Sequence, residues 1–168
     1  MQWTPAYIAL GSNLAGPLTQ VRNAFDRLEQ ISATRLIARS RLYHARPLGP
    51  QDQPEFINAA AGLLTQLEAP ALLAELKRIE RDMGRTPPPV RWGPRIIDLD
   101  LLVYGAQVID EPGLTVPHPG IHERNFVLYP LADIAPELFI AGHGTVIELT
   151  RSLGADGLRP VAQSADRN

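Results

Sequence analysis

No cysteine occurs anywhere in the chain. That removes disulfides, thiolate metal centres and cysteine nucleophiles together, so any metal must sit on oxygen or imidazole. No window holds the ~20 apolar residues that a membrane span needs. The first residues, Met1 to Pro5, lead into a strand-like run rather than a charged leader with an apolar core, so the expected location is cytoplasmic. A strong excess of one charge is missing too: 16 Lys and Arg against 18 Asp and Glu leave a net charge of -2, which gives no global pull on nucleic acid. Neither Gly-x-x-x-x-Gly-Lys-Ser/Thr nor Gly-x-Gly-x-x-Gly is present, so the two common glycine-rich phosphate cradles are excluded. What remains suits a protein whose partners are small molecules.

At 168 residues with 45% hydrophobic content, the chain is long enough for one self-sufficient core. The expectation is a single domain over residues 1–168, with the polar tail after about residue 150 peripheral and fraying.

Short apolar runs and turn residues outline the elements. Ala6 to Leu10 reads as a buried strand stopped by Gly11-Ser12-Asn13, whose preferred reading is turn chemistry. After Pro17, Leu18, Val21, Phe25, Leu28 and Ile31 recur at helical spacing. From Arg35 to Tyr43 the residues alternate, with Leu36, Ala38, Ser40 and Leu42 on one face, as in a half-exposed strand. The stretch from Leu48 to Pro54 is a loop, and a third strand is predicted from Phe56 to Leu64. Pro70 opens a second helix with Leu72, Leu76, Ile79 and Met83 inward and Gly84 at its end. Four prolines and a glycine between Arg85 and Arg95 forbid regular structure there, and a fourth strand follows from Ile96 to Tyr104. Residues Asn125 to Ile134 read as partly helical, limited by Pro130. This order predicts an α+β fold of the ferredoxin-like βαββαβ type, an antiparallel sheet with two helices on one face.

The sharpest chemical feature is Ile97-Asp98-Leu99-Asp100-Leu101. On a strand the two aspartates share a face, with Cα atoms about 6 to 7 Å apart, while the aliphatic residues face the core. Two hard oxygen donors so placed suit Mg²⁺, which takes one or two carboxylates and completes its shell with phosphate oxygens and water. A solvated polar face is the plainer explanation of an arbitrary Asp-x-Asp pair. It is weakened here because aspartate is depleted from strands and a like-charged pair needs a compensating cation or arginine. Arg85, Arg91 and Arg95 lie within fifteen residues of the pair. A guanidinium fork matches phosphate oxygens, and a loop that carries it can close over a nucleotide; pairing with surface acids is an equal alternative for Arg91.

Trp92 stands in the proline-rich loop without an evident core position, and Phe56 and Asn58 share a strand face. An aromatic surface beside an amide suits a planar heterocycle, although a core role for Phe56 competes. His118, in Pro117-His118-Pro119, has no histidine partner at metal-ligand spacing, which leaves a phosphate contact or a structural hydrogen bond.

Together these segments resemble the 6-hydroxymethyl-7,8-dihydropterin pyrophosphokinases of folate biosynthesis. The likeness rests on Ala9-Leu10-Gly11-Ser12-Asn13, on Pro47 to Pro54 followed by Phe56 and Asn58, on Arg91-Trp92-Gly93-Pro94-Arg95 through Asp98-Leu99-Asp100, and on Val116-Pro117-His118-Pro119. The resemblance implies a monomeric, ferredoxin-like transferase with long mobile catalytic loops that moves pyrophosphate from ATP to the pterin and releases AMP. It implies two Mg²⁺ ions on Asp98 and Asp100, with Arg85 and Arg95 as catalytic arginines. Pterin would stack between Phe56 and Phe126, read by Asn58 and the backbone near Leu48 and Gly49, with Trp92 closing the lid. ATP would meet Lys77, Glu80, Arg85, Arg95, Thr115 and His118, with Leu73 and Leu101 near the adenine. Lys77 stands where relatives commonly carry glutamine, and Pro87 and Gly113 where some carry arginine. Two rivals from other classes are a metal-dependent glycosyltransferase, which needs a larger fold, and a passive ferredoxin-like sensor, which does not require paired strand carboxylates.

Overall fold

The computed structural model describes residues 2–47, 49, 51–84 and 95–162. The elements run β1 (Thr4–Ser12), α1 (Pro17–Glu29), β2 (Thr34–Arg39), β3 (Tyr43–Ala45), β4 (Phe56–Thr65), α2 (Ala69–Asp82) and β5 (Asp98–Tyr104). They continue with β6 (Ile109–Glu111), β7 (Leu114–Val116), α3 (Asn125–Ile134), β8 (Phe139–Ile140), β9 (Gly144–Thr145), α4 (Val146–Leu153) and β10 (Leu158–Pro160).

The main sheet has the order β10-β3-β4-β1-β5, with β2 also on β4, and every pairing is antiparallel. This is the predicted ferredoxin-like α+β arrangement, with β1 and β4 central and β5 at one edge. Alternation along the strands divides the interior. Ile8, Leu10, Leu63 and Leu99 face α1 and α2, meeting Val21, Phe25, Leu72 and Leu76. The prolines at the starts of α1 and α2 sit where a missing N–H costs nothing.

The opposite face of the sheet is also covered. Ala9, Ala60, Leu102 and Val103 pack under Leu128 and Leu131 of α3. Pro130 has no N–H to give the preceding turn, yet α3 continues to Ile134, because its apolar side, including Val127 and Pro130 itself, is buried. Burial overrides the local break, so the helix is longer than the proline alone predicts.

Two further departures have local causes. The strand expected from Arg35 to Tyr43 is split into β2 and β3, because Ser40 uses its hydroxyl as a backbone substitute. Its Oγ accepts the Ala60 N–H at 2.7 Å while its own N–H donates to the Ala60 carbonyl at 2.9 Å. Nor do the described residues past Thr150 fray: β10 pairs with β3, the Val161 N–H donates to the Leu42 carbonyl at 2.8 Å, and the Val161 side chain enters the first core. Among the described residues no helix is long and apolar enough to cross a membrane.

Candidate active site

Strand register assembles the site. Gly11 of β1 lies opposite Asn58 on one side and Asp98 on the other, and Ala9 lies opposite Ala60 and Asp100. Two neighbouring rows across three strands therefore present Asn58, Gly11 and Asp98, then Ala60, Ala9 and Asp100, to the face that α3 covers. A cleft opens there, walled by Phe56 and Asn58 from β4, by Asp98 and Asp100 from β5, and by Phe126 of α3. The two aspartates share this face, and Ile97, Leu99 and Leu101 point into the core, as their spacing predicts.

Gly11 is required by close approach. A Cβ there would lie 2.9 Å from Asn58 Nδ2, so any other residue would displace the amide. Asn58 is 8% exposed, and its Oδ1 is buried with no hydrogen-bond partner among the described residues. A buried acceptor left unmatched costs free energy unless a ligand supplies a donor.

A second cleft lies on the other side of β5, lined by Leu73 and Lys77 of α2, Leu101, Thr115 of β7 and His118. Asp100 lines both clefts. Five of the eight residues assigned to nucleotide are thus brought to one wall. Burial, reinforced by Asp98 and then Glu80, pushes the Asp100 carboxyl up to about 7, against the pull of Lys77 and Arg124. The carboxylates are crowded in a way that a cation relieves.

His118 is fixed on both sides. Its N–H donates to the Leu102 carbonyl at 2.8 Å, and its Nδ1 accepts the Gly120 N–H at 3.1 Å. The accepting Nδ1 leaves Nε2 as the nitrogen that carries hydrogen. Burial, then the nearby Arg124, lowers the imidazole pKa, with Asp98 opposing. Both effects favour the neutral imidazole.

The other assigned residues divide. Glu80 is 2% exposed, and its Oε2 accepts the N–H of Leu99, the residue between the two aspartates, at 2.8 Å. It lies beneath the strand and is not part of the second cleft's wall. Arg95 lines the first cleft with Nη1 3.3 Å from Asp98 Oδ1. Gly49 precedes β4, where its carbonyl accepts the Gln51 side-chain amide at 2.9 Å, and it is not part of the cleft wall. Leu48, Arg85 and Trp92 lie outside the described residues, as do Arg91 and the proline run 87–89.

Three residues went unassigned from the sequence. Arg124 and Arg46 both line the first cleft; position next to Phe126 was the one available signal for Arg124, at two residues' distance. Asn13 is the third, and the turn reading of Gly11-Ser12-Asn13 needs correction. Gly11 and Ser12 are inside β1, and Asn13 is a bracket between loops. Its N–H donates to the Arg95 carbonyl at 3.0 Å, and its Oδ1 accepts the Arg95 N–H at 2.8 Å. Its Nδ2 donates to Gln53 Oε1 at 3.0 Å and to the Pro54 carbonyl at 2.9 Å.

Fold and site together define a class: an α+β protein with two clefts that meet at a carboxylate-bearing strand, suited to a group transfer between two small substrates. Residues 7–136 match the model of the 7,8-dihydro-6-hydroxymethylpterin-pyrophosphokinase family. The chain is 47% identical over 152 residues to the 2-amino-4-hydroxy-6-hydroxymethyldihydropteridine pyrophosphokinase of Pseudomonas aeruginosa, covering 90% of this chain and 93% of that one. Against the enzyme of the same name from Haemophilus influenzae it is 45% identical over 146 residues, covering 87% and 91%. Among solved structures, an HPPK-DHPS in complex with substrates superposes with a TM-score of 0.75 at 13% identity, over 95% of this chain and 48% of that one. A Plasmodium falciparum HPPK-DHPS with pteroate superposes with a TM-score of 0.72 at 15% identity, over 90% and 41%. The chain spans about half the length of these solved chains, which at such identity support the fold alone. The chain belongs to the 7,8-dihydro-6-hydroxymethylpterin-pyrophosphokinase family. Its activity is that of an ATP-dependent diphosphokinase, pyrophosphoryl transfer to hydroxymethyldihydropterin in folate biosynthesis.

Proposed function

We propose that pterin occupies the cleft between Phe56 and Phe126, that ATP occupies the cleft lined by Leu73, Lys77, Leu101, Thr115 and His118, and that Asp98 and Asp100 hold two Mg²⁺ ions where the clefts meet. The observation that carries this reading is the place of Asp100 in the walls of both. A carboxylate shared by two substrate clefts stands where the attacking hydroxyl and the triphosphate must approach.

Residue chemistry fits each tenant. The flat ring stacks between aromatic faces, and a ring amino group supplies the donor that Asn58 Oδ1 lacks. Among the described residues no group of three or more His, Asp or Glu side chains forms a self-sufficient metal cage. Two carboxylates on one strand face suit Mg²⁺, whose remaining ligands are substrate oxygens and water. When bound, the cations acidify the pterin hydroxyl and offset charge on the phosphates.

The substrate hydroxyl oxygen bonds to the β-phosphorus as the bond from that phosphorus to the oxygen bridging the α-phosphate breaks, and AMP departs with that electron pair. The hydroxyl proton passes to solvent. Such a transfer is governed by alignment and charge neutralisation. Arg95 supplies positive charge from the pterin side, and Arg124, close enough to influence both Asp100 and His118, supplies it near the junction. His118 offers its Nε2–H to a phosphate oxygen, and Lys77 neutralises charge on the nucleotide side. Arg85 and Trp92 act from the segment that follows α2, the backbone near Leu48 reads the pterin edge without Gly49, whose carbonyl is held by Gln51, and Glu80 acts on the nucleotide side through the strand it holds.

The working unit is a monomeric single domain over residues 1–168 that acts in the cytoplasm. Both clefts are built from one chain, and β10 closes back on β3. With ATP, Mg²⁺ and 6-hydroxymethyl-7,8-dihydropterin, AMP must form one for one with pterin diphosphate. Asp98→Ala and Asp100→Ala are expected to keep the fold and lose turnover; near-normal turnover by either variant overturns the metal assignment.

A further inference from the structure

The segment after α4 lies beyond residues 7–136, the span that the family model matches, yet it bonds to the residue that precedes each aromatic wall of the first cleft. At its start, Asn125 Nδ2 donates to the Gly154 carbonyl at 3.1 Å and to the Asp156 carbonyl at 2.9 Å. Asn125 immediately precedes Phe126 at the start of α3. At its end, Arg159 grips Glu55 with two bonds, Nη1 to Oε2 and Nη2 to Oε1, each 3.0 Å. Glu55 immediately precedes Phe56. Between these points β10 pairs with β3, and Asp156 meets Arg46, a residue of the cleft wall, at 3.0 Å.

We propose that residues Gly154 to Val161 form a strap that fixes the separation of the two aromatic walls, with Asn125 and Arg159 as its positioning residues. The proposal rests on the assignment of pterin to this cleft. The strap is anchored independently of any ligand, because Val161 is buried in the core and its N–H is held by Leu42. Gly157 shows how closely it is fitted. Its φ is +75°, in the left-handed region that favours glycine, and the segment passes directly against the Arg46 guanidinium.

A strap that only added stability would behave differently from one that sets a distance. The Arg159–Glu55 pair is exposed, and exposed pairs add little to folding, whereas a two-pronged fork defines geometry. A flat ring held between two faces is sensitive to their spacing, since stacking contacts weaken steeply over fractions of an ångström. No residue of the strap lines the nucleotide cleft, which serves as the internal control.

The test uses the full chain with Asn125→Ala, Arg159→Ala and the double variant. Calorimetry with a non-hydrolysable ATP analogue and Mg²⁺ gives the nucleotide Kd, and 6-hydroxymethyl-7,8-dihydropterin added to that complex gives the pterin Kd. Expected is a rise in pterin Kd of roughly three- to tenfold for Asn125→Ala, the scale of a lost hydrogen bond, with the analogue's Kd unchanged within twofold. The double variant should lose less than the product of the single losses, because both act on one spacing. An unchanged pterin Kd in the folded variants, or a loss shared equally by the analogue, overturns the strap. If Asn125→Ala does not fold, Arg159→Ala decides the matter by the same criterion. Asn58→Ala separates the two levels: retained pterin binding there defeats the cleft assignment itself, whereas loss there with no effect of the strap variants defeats only the strap.

Discussion

Glu80 Oε2 accepts the backbone N–H of Leu99 at 2.8 Å from beneath β5. The bond reaches the one residue that separates Asp98 from Asp100, so a carboxylate on α2 fixes the height of the acidic pair without joining it.

Removing that acceptor strands a buried N–H. Glu80→Ala is expected to cost roughly 1 to 3 kcal/mol of stability, together with a fall in kcat as the aspartates shift. Glu80→Gln keeps an acceptor oxygen and should recover most of the stability. Urea denaturation of the three proteins checks the order; a Glu80→Ala variant as stable as the parent rules out the bond as a support of β5.

Gly11 makes a prediction of the opposite kind, in which adding an atom is harmful. Its backbone is ordinary extended strand, so Gly11→Ala meets no conformational bar. The new methyl group would lie 2.9 Å from Asn58 Nδ2, and the amide must swing out of the row. Pterin affinity should fall by roughly tenfold or more, a step of about 1.4 kcal/mol, with nucleotide affinity unchanged. Titration calorimetry reads both, and an unaltered pterin Kd removes Asn58 from the recognition scheme.

Much of this was legible in the sequence, for reasons that also mark the limits. Periodicity gave α1, α2, β4 and the shared face of Asp98 and Asp100, because side-chain direction along a helix or strand is a local property. The break at Ser40 was hidden, because it depends on a hydroxyl meeting Ala60 across the sheet. The span of α3 was readable as Asn125 to Ile134, but its continuity through Pro130 was not, because that depends on burial on the second face of the sheet. At the site, Asn58 and the aspartates stood out by residue type. Asn13 did not, since its four hydrogen bonds go to Arg95, Gln53 and Pro54, all about 40 residues or more away.

Asn13 joins the segment that carries Arg95 to the loop that leads into Phe56, so its loss should disturb both substrates together. Asn13→Ala removes three side-chain bonds and is expected to lower kcat by tenfold or more, in line with the ~10²-fold cost of an ångström-scale misplacement. Asn13→Asp keeps the acceptor for the Arg95 N–H but cannot donate to Gln53 or Pro54. It should hold the Arg95 segment in place, retain nucleotide binding and lose pterin affinity. Steady-state kinetics with each substrate varied in turn tests this; equal effects of Asp and Ala on both KM values count against a two-sided bracket.

The last prediction concerns α3, which carries Phe126. At its far end Asp133 accepts the Tyr43 hydroxyl at 2.8 Å and the Arg41 guanidinium at 3.1 Å, tying the helix to β3 and the segment that enters it. Burial, and then the hydrogen bond to Asp133, push the Tyr43 phenol up to about 12 from an ordinary value near 10. The folded state therefore prefers the protonated phenol. The stability this confers is complete below pH 10 and disappears as pH rises from 10 through 12, because the folded protein must then give up a proton that the unfolded chain has already lost. Thermal melts between pH 9 and 12 should show a falling Tm in the parent, and Tyr43→Phe, already lower at pH 9 by the loss of one hydrogen bond, should fall less steeply. Parallel curves for the two proteins would show that Tyr43 titrates like an exposed tyrosine and that the tie to Asp133 does not hold α3 to the sheet.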